Sequence, residues 1–318
     1  MSADAEKWRY LPQDHKLRST KLPWYNASFE HKLAPSFRKL LEEWSGIAPE
    51  DVIPHIYRTR EETWKVFPFP CIGTFWFVKQ GLLHHPDYAR MLERLTSVPS
   101  TSGFPAAAPG PRFLDLGTCL GQDVRTLAHD GAPLSSLYGA DLIPGFEAAG
   151  HALFRDSDRL DSSHFITGNI FSDDDDLAKT RGTWDIIHIS MFLHVFSLAD
   201  QETACKNILQ LLKATPGSTV IGTQTGTLDA GDMVLKPPMC EPGEHKTVFR
   251  HSKETMNDMW ERAAKAVGIS LNVWSDYDAD EARERAEGRK EKGEEWEKRE
   301  RHFVGDRERK IFFRVETV

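Results

Sequence analysis

"PRFLDLGTCLGQDVRTLAHDGAPLSSLYGADL", residues 111–142, holds two apolar runs joined by a glycine turn and a helical stretch, with an aspartate at or near the end of each run. "RFLDLG" reads as a short strand that stops at the turn, and "LSSLYGADL" as a second strand. Between them, "GQDVRTLAHDG" has the apolar spacing of a helix and closes at Gly131. A glycine turn lets a ligand approach the backbone closely. An acid about 20 positions further on, at the next strand's end, can accept hydrogen bonds from a ribose. Asp141 stands 20 residues after Gly121. A turn that only redirected a strand into a helix would not need the whole two-strand unit.

The same alternation continues. "GFEAAGHALFRD" reads as a helix, "SHFITGNIF" as a third strand and "WDIIHIS" as a fourth. "DQETACKNILQLLKATPG" is a helix and "STVIGTQTG" a fifth strand. "SKETMNDMWERAAKAVG" is a helix opened by Ser252 and closed by Gly268, and "SLNVWSDY" and "RKIFFRVETV" are two final strands. Strands alternating with helices predict an α/β fold, a mostly parallel sheet covered on both faces. Ahead of it the chain reads as helical. "SFRKLLEEW" puts Phe37, Leu40, Leu41 and Trp44 on one face with Ser36 as cap. "PEDVIPHIYRTREETW" should be interrupted or restarted at Pro54. "CIGTFWFVKQGLLHHPDYARMLERL" is expected to form one helix broken near His85-Pro86 and another from Asp87. "TSVPSTSGFPAAAPGP", residues 96–111, reads as a linker. The expected division is an N-terminal helical cap with linker, 1–110, and a ligand-binding domain, 111–318, carrying a charged insertion at 276–310.

Composition narrows the class. The 318 residues are 40% apolar and 28% charged, with a formal net charge of −8. That balance gives no electrostatic footprint for nucleic acid or an anionic membrane. The start, "MSADAEKWRY", lacks an apolar secretion core, and "IIHISMFLHVFSLA" is too short to span a bilayer. Cys71, Cys119, Cys205 and Cys240 are scattered without a CxxC pair, which suits reduced thiols in a cytoplasmic protein. "SDDDDLAK", residues 172–179, reads as a solvated loop, and no metal is expected. The oligomeric state stays open, a homodimer included.

Two nucleotide readings compete for the turn. A dinucleotide site wants G-x-G-x-x-G and a pyrophosphate at the helix N-terminus. Here Cys119 sits between the outer glycines, and Asp115 would face a pyrophosphate unfavourably. S-adenosylmethionine carries no phosphate and has a cationic methionine end, so one acid could hold that end and the other the ribose.

"FLDLGTCLGQD", "YGADL", "ITGNIF" and "WDIIHISMFLHVF", in this order, resemble the successive motifs of class I S-adenosylmethionine-dependent methyltransferases, from about residue 115 onward. "WKVFPFPCIGTFWFV", "HHPDY" and "LGQDVRTLAHDGAP" further resemble small fungal methyltransferases of meroterpenoid pathways of the austinol, andrastin and terretonin kind. Those commonly methylate a polycyclic carboxylic acid. The resemblance implies a Rossmann-like sheet of seven strands, mostly parallel with the last antiparallel, behind an N-terminal helical cap. It implies cofactor contacts from Asp115, Gly117, Thr118, Cys119 and Gly121, and from Asp123 at the opening of the next helix. Asp141 and Leu142 would meet ribose and adenine, Asn169 and Ile170 would flank the adenine, and Ser190 and Met191 would line the methyl-transfer opening. Cys119 departs from the family's usual glycine, and Asn169 from a frequent acid. A small thiol fits a turn, and an amide can still bond an adenine amino group.

Three segments could cover an acceptor above the strand ends. The N-terminal segment offers Trp24, Tyr25, Trp64 and Trp76, the stretch after the fifth strand offers Met233, Leu235 and Met239, and the charged insertion carries Glu281-Arg285, Glu294-Lys298, Glu295-Arg299 and Glu297-Arg301 at helical spacing. Trp24, Tyr25, Trp76, Met233 and Met239 are the substrate-binding candidates. The insertion reads as an exposed helix, with a lid role open. His194, just past the fourth strand, and His188, inside it, are the catalytic candidates. The function expected is methylation of a carboxyl or hydroxyl oxygen on a small apolar metabolite. The rival readings are a methyltransferase fold using the cofactor's charge for cyclisation or rearrangement, a non-catalytic partner protein, and a nicotinamide oxidoreductase.

Overall fold

The structure is a computed structural model that describes residues 11–12, 14–97, 110–292 and 307–318. Its centre is β1, Phe113–Leu116, buried at all four positions. A strand flanked by neighbours and covered on both faces must be apolar throughout, which "FLDL" nearly is. β1 runs parallel to β2, Leu137–Asp141, on one side and to β4, Ile186–Ser190, on the other. β3, Phe165–Thr167, extends the sheet beyond β2, and β5, Thr219–Thr227, beyond β4. Beyond β5 lies β9, Glu308–Thr317, antiparallel to it over the whole of β5, and beyond that β8, Leu271–Tyr277. The order β3-β2-β1-β4-β5-β9-β8 is a seven-stranded sheet in which only β9 runs against the rest.

Alternate side chains build the two covering layers. Phe113 and Ile186 face one layer with Leu82, Tyr88 and Val124, while Leu114 and Ile187 face the other with Ile208 and Trp260. The helices are α1, Pro35–Glu43, α2, Val52–Val66, the single turn α3, Pro70–Gly73, and α4, Tyr88–Thr96, in the cap. α5, Gln122–His129, α6, Gly145–Phe154, α7, Leu198–Leu211, and α8, Lys253–Val267, connect the strands. The capping box at Ser252 and Thr255, and Gly268 at φ 75, bound α8 as its sequence suggests.

Several local expectations need correction. Pro54 does not interrupt α2: it lies in the first turn, where its missing N–H has no helical partner to lose. α1 opens at Pro35 with no side-chain cap, so Ser36 is inside it. The stretch 70–84 is not one helix but α3 and two three-residue 3-10 turns, Trp76–Val78 and Leu82–His84. Phe75, at φ 58, breaks the path between them. A hairpin of β6, Gly231–Val234, and β7, Thr247–Arg250, was not anticipated.

The cap is not a separate body. Its core around Phe37, Leu41 and Trp64 includes Leu120, Leu153 and Phe154 from the sheet domain. The charged insertion begins as α9, Ala279–Lys292, joined to the sheet where Asp278 pairs with Lys310 at 3.0 Å. The paired residues expected at 294–301, and linker residues 98–109, lie outside the described residues.

Candidate methyl-transfer site

The turn after β1 is pinned to the end of β2. Gly117 and Thr118 both donate their N–H to the Ala140 carbonyl, at 2.8 and 3.0 Å, and Gly121 N–H closes on Thr118 O at 2.8 Å. Gly117 and Gly121 have φ 78 and 69, in the region that favours glycine, and Cys119 occupies it too at φ 51. Gly139 leaves the space the turn needs, because a Cβ there would stand 2.9 Å from Thr118 Cγ2.

Asp141 holds this corner together. One carboxylate oxygen accepts the Cys119 N–H at 2.9 Å and the other the Ile143 N–H at 3.0 Å. Burial pushes its pKa up to about 6, against the pull of those two backbone donors. Thr118, Cys119, Gly139, Asp141, Ile143 and Phe165 line a cleft beside it. Leu142 follows directly. Asn169 and Ile170 lie past β3, where Asn169 Oδ1 accepts from Phe171 N–H at 3.0 Å and Ile170 O from Asn207 at 2.8 Å.

Beneath the turn lies a buried polar group. Asp115 accepts from Thr118 Oγ1 at 2.7 Å and from His188 Nδ1 at 2.8 Å. Asp123 accepts from the Leu82 N–H at 3.1 Å, tying the cap to α5. The ligand atoms of Asp115, Asp123 and His188 lie within 4.8 Å of one another. Burial opposes charging His188, but the hydrogen bond and charge of Asp115, with Asp123 beyond it, outweigh that and raise its pKa. Burial pushes Asp123 up to about 6, partly offset by His188.

These positions revise the expected roles. Asp115 and Asp123 are 3% and 1% exposed, and both are hydrogen-bonded to protein groups beneath the turn. His188 is wholly buried with Asp115 and cannot touch an acceptor.

Ser190, expected just past the fourth strand, is its last residue, and Met191 follows it. Ser190 Oγ meets Thr223 Oγ1 at 3.0 Å, and Met191, at φ 50, donates its N–H to Thr223 O at 2.7 Å. Gly81 of the cap lies directly against Ser190, since a Cβ on it would be 3.1 Å from Ser190 Oγ. The sequence reading missed Phe192, whose ring lies on Gly117: a Cβ there would sit 2.8 Å from Phe192 Cδ2. The aromatic directly after the strand in "HISMFLHVF" was the available signal. His194 follows in a 3-10 turn, its carbonyl bonded by Arg250. Burial, then Arg250, push the ring down to about 3.

The acceptor candidates divide. Trp24, 2% exposed, is a cap core residue and offers no surface to a substrate. Trp64 is also core, bonded to Arg18 O at 3.0 Å. Tyr25 is half-buried, its hydroxyl on Glu61 at 2.6 Å and its ring under Arg60. Trp76 is 38% exposed beneath Lys79, Met233 sits half-buried on β6, and Met239 reaches from the hairpin loop to pack on the cap. Glu241 beside it pairs with Lys16 of the cap at 2.7 Å.

In the loop of four acids, each placed carboxylate has a local partner. Asp175 accepts from Asn169 and Ala178 N–H, Asp176 pairs with Lys179, and Asp173 with Arg181. No helix among the described residues is long and apolar enough to cross a membrane.

The corner suits a nucleoside with a cationic tail better than a dinucleotide. A carboxylate ends β2 beside the turn, where a pyrophosphate would be repelled. The nearby cation Arg125 is already neutralised by Asp156 at 2.8 Å. Comparisons with known proteins agree. Residues 24–78 match the meroterpenoid methyltransferase N-terminal domain. The chain is 33% identical to O-methyltransferase phiE of Fungal sp. (strain ATCC 74256), over 79% of this chain and 78% of that one. It is 36% identical to O-methyltransferase atr3 of Stereocaulon alpinum, over 83% and 71% respectively. It is 37% identical to the asnovolin E/chermesin D methyltransferase nvfJ of Aspergillus novofumigatus (strain IBT 16806), over 58% and 62%. Identity at that level across most of both chains joins the glycine turn and the strand order in one conclusion: the chain belongs to the class I S-adenosylmethionine-dependent methyltransferases, in the family of fungal secondary-metabolite O-methyltransferases.

Proposed function

We propose that this enzyme methylates the carboxylate oxygen of a polycyclic, largely apolar acid. The observation that carries the reading is the depressed pKa of His194, about 3, at the end of the strand where the methyl group is delivered. A base that weak is poorly suited to take a proton from a phenol or an ammonium group at neutral pH, which favours an acceptor that needs no deprotonation, such as a carboxylate. The neighbouring histidines do not replace it. His188 is sealed with Asp115, and burial pushes His85 and His251 down to about 4.

With S-adenosylmethionine bound, a methyl carbon activated by positive sulfur is available, and a carboxylate oxygen can displace that sulfur with no proton to move. The chain's own residues then bind, align and exclude water. Asp141 accepts from the ribose, and the backbone of Gly117, Thr118, Cys119 and Gly121 gives close approach. Leu142, Asn169 and Ile170 flank the base, and Ser190 and Met191 border the opening. Trp76, Met233 and Met239 supply apolar area for the acceptor. The names of phiE and atr3 as O-methyltransferases support transfer to oxygen.

The test is a panel of polycyclic acids, phenols and amines, reading S-adenosylhomocysteine and product together. The expected result is a methyl ester formed in step with S-adenosylhomocysteine. A methylated phenol or amine as the sole product would overturn the carboxyl assignment.

A further inference from the structure

Two thiols meet across the seam between cap and cofactor turn. Cys71 lies in α3, and Cys119 lies between the two left-handed glycines of the turn. The two thiols are side-chain neighbours, both are free and half-buried, and both pack on the same cap core. Cys119 also packs beside Phe69, the residue that opens α3. A side chain at φ 51 is carried at a cost of about 1–2 kcal/mol that glycine would avoid, and here the side chain so carried faces a second thiol. The other two cysteines are engaged elsewhere. Cys205 packs on Met259 Sδ at 3.9 Å, and Cys240 bonds Leu235 O at 3.3 Å.

We propose that Cys71 and Cys119 form a reversible disulfide that clamps the cap onto the cofactor turn and slows cofactor exchange, with a low-molecular-weight disulfide such as oxidised glutathione as the oxidant. The Cys71 thiolate attacks one glutathione sulfur, forming a mixed disulfide and releasing one glutathione. The Cys119 thiolate then attacks the Cys71 sulfur and releases the second. Two protein thiols lose two protons and two electrons, and one oxidised glutathione becomes two reduced ones. The Cys71 thiol beside it, then burial, push the Cys119 thiol up, so Cys119 acts second and gives up its proton in that attack.

The consequence follows from what Cys119 lines. Its N–H rests on Asp141, and it forms a wall of the cleft with Asp141, Ile143 and Pro144. A covalent S–S bond of about 2.05 Å is shorter than any thiol–thiol contact, so closing it draws α3 and the turn together and stiffens that wall. In a reducing compartment such a bond is transient, which suits a switch better than a staple.

The experiment uses the full chain, reduced and then treated with oxidised glutathione. Peptide mapping without reductant should show residues 71 and 119 linked with loss of two hydrogens. Release of bound S-adenosylhomocysteine should slow by an order of magnitude or more and recover with dithiothreitol. Cys71→Ser, with Cys71→Ala as a second variant, should match the reduced enzyme and ignore the oxidant. A glutathione adduct without the cross-link, or a cross-link that leaves release unchanged, overturns the proposal. Both readouts are independent of the acceptor.

Discussion

The carboxylate of Asp141 accepts the backbone N–H of Cys119 at 2.9 Å, so the residue that ends the second strand also fixes the turn that follows the first. The shape of the turn therefore depends on one ionisable carboxylate. Its pKa of about 6 means that the folded chain holds the proton more tightly than an unfolded chain does. For this group, stability without cofactor is greatest below the unfolded value near 4 and declines as pH rises through about 6.

Cofactor binding should run the opposite way, because ribose hydroxyls donate best to the charged form. Affinity for S-adenosylhomocysteine should fall as pH drops through about 6. Asp141→Asn should lose roughly 1–3 kcal/mol of binding at pH 7.5 and show no such inflection. Calorimetry across that range checks both. An unchanged affinity in the variant would remove Asp141 from the site.

Arg125 and Asp156 are 1% and 0% exposed and joined by two bonds of 2.8 and 3.0 Å. Arg125 also donates to Leu120 O in the turn at 3.1 Å, and Asp156 accepts from Trp44 of the cap at 3.0 Å. Asp156→Ala should cost about 3–5 kcal/mol in urea unfolding, because it strands a buried guanidinium. The double variant Arg125→Met, Asp156→Leu should lose less than that single one. If the single variant is the milder of the two, the pair is not the buried tie described.

His194→Ala should lower turnover only modestly, and the pH–rate profile should keep its shape near 6.5, since a ring titrating at about 3 is already neutral there. A loss of about 10²–10⁴-fold with the disappearance of a limb near that pH would mark general-base catalysis and a protonated acceptor.

Deleting residues 281–303 behind a short Gly-Ser bridge should leave cofactor affinity nearly intact. The start of α9 is tied to the sheet through Asp278 and Lys310, which the deletion keeps. A folded deletion variant that no longer binds cofactor would identify this charged segment as a lid.

The sheet was legible because its central strands β1 and β4 carry compact apolar runs closed by a turn, and a strand with neighbours on both sides and both faces covered needs such a run. The β6–β7 hairpin was not, since "GDMV" alternates half-buried with exposed positions and has no apolar run to announce it. The cap from 70 to 84 has helical composition, but packing puts Phe75 in the left-handed region and the path breaks there. The placement of Asp141 at the end of β2, against the glycine turn, was readable from its spacing to the glycines. The fates of His188, Asp115 and Trp24 depend on partners distant in sequence. Asp115 and His188 are 73 residues apart and meet only once β1 and β4 lie side by side. Trp24 looked like an acceptor contact because aromatics serve both cores and pockets, and only its burial distinguishes them.

β9 comes after β8 in the sequence yet sits between β5 and β8, bonded to both. A polypeptide leaving the ribosome thus presents β5 with a bare flank while the chain from β6 through α9 is made. Until residues 308–317 arrive, an open row of amides and carbonyls invites pairing with any extended neighbour. Chaperone demand during translation should therefore concentrate in this interval, and ribosome-stalled chains ending before residue 308 should be captured by holdases while full-length chains escape.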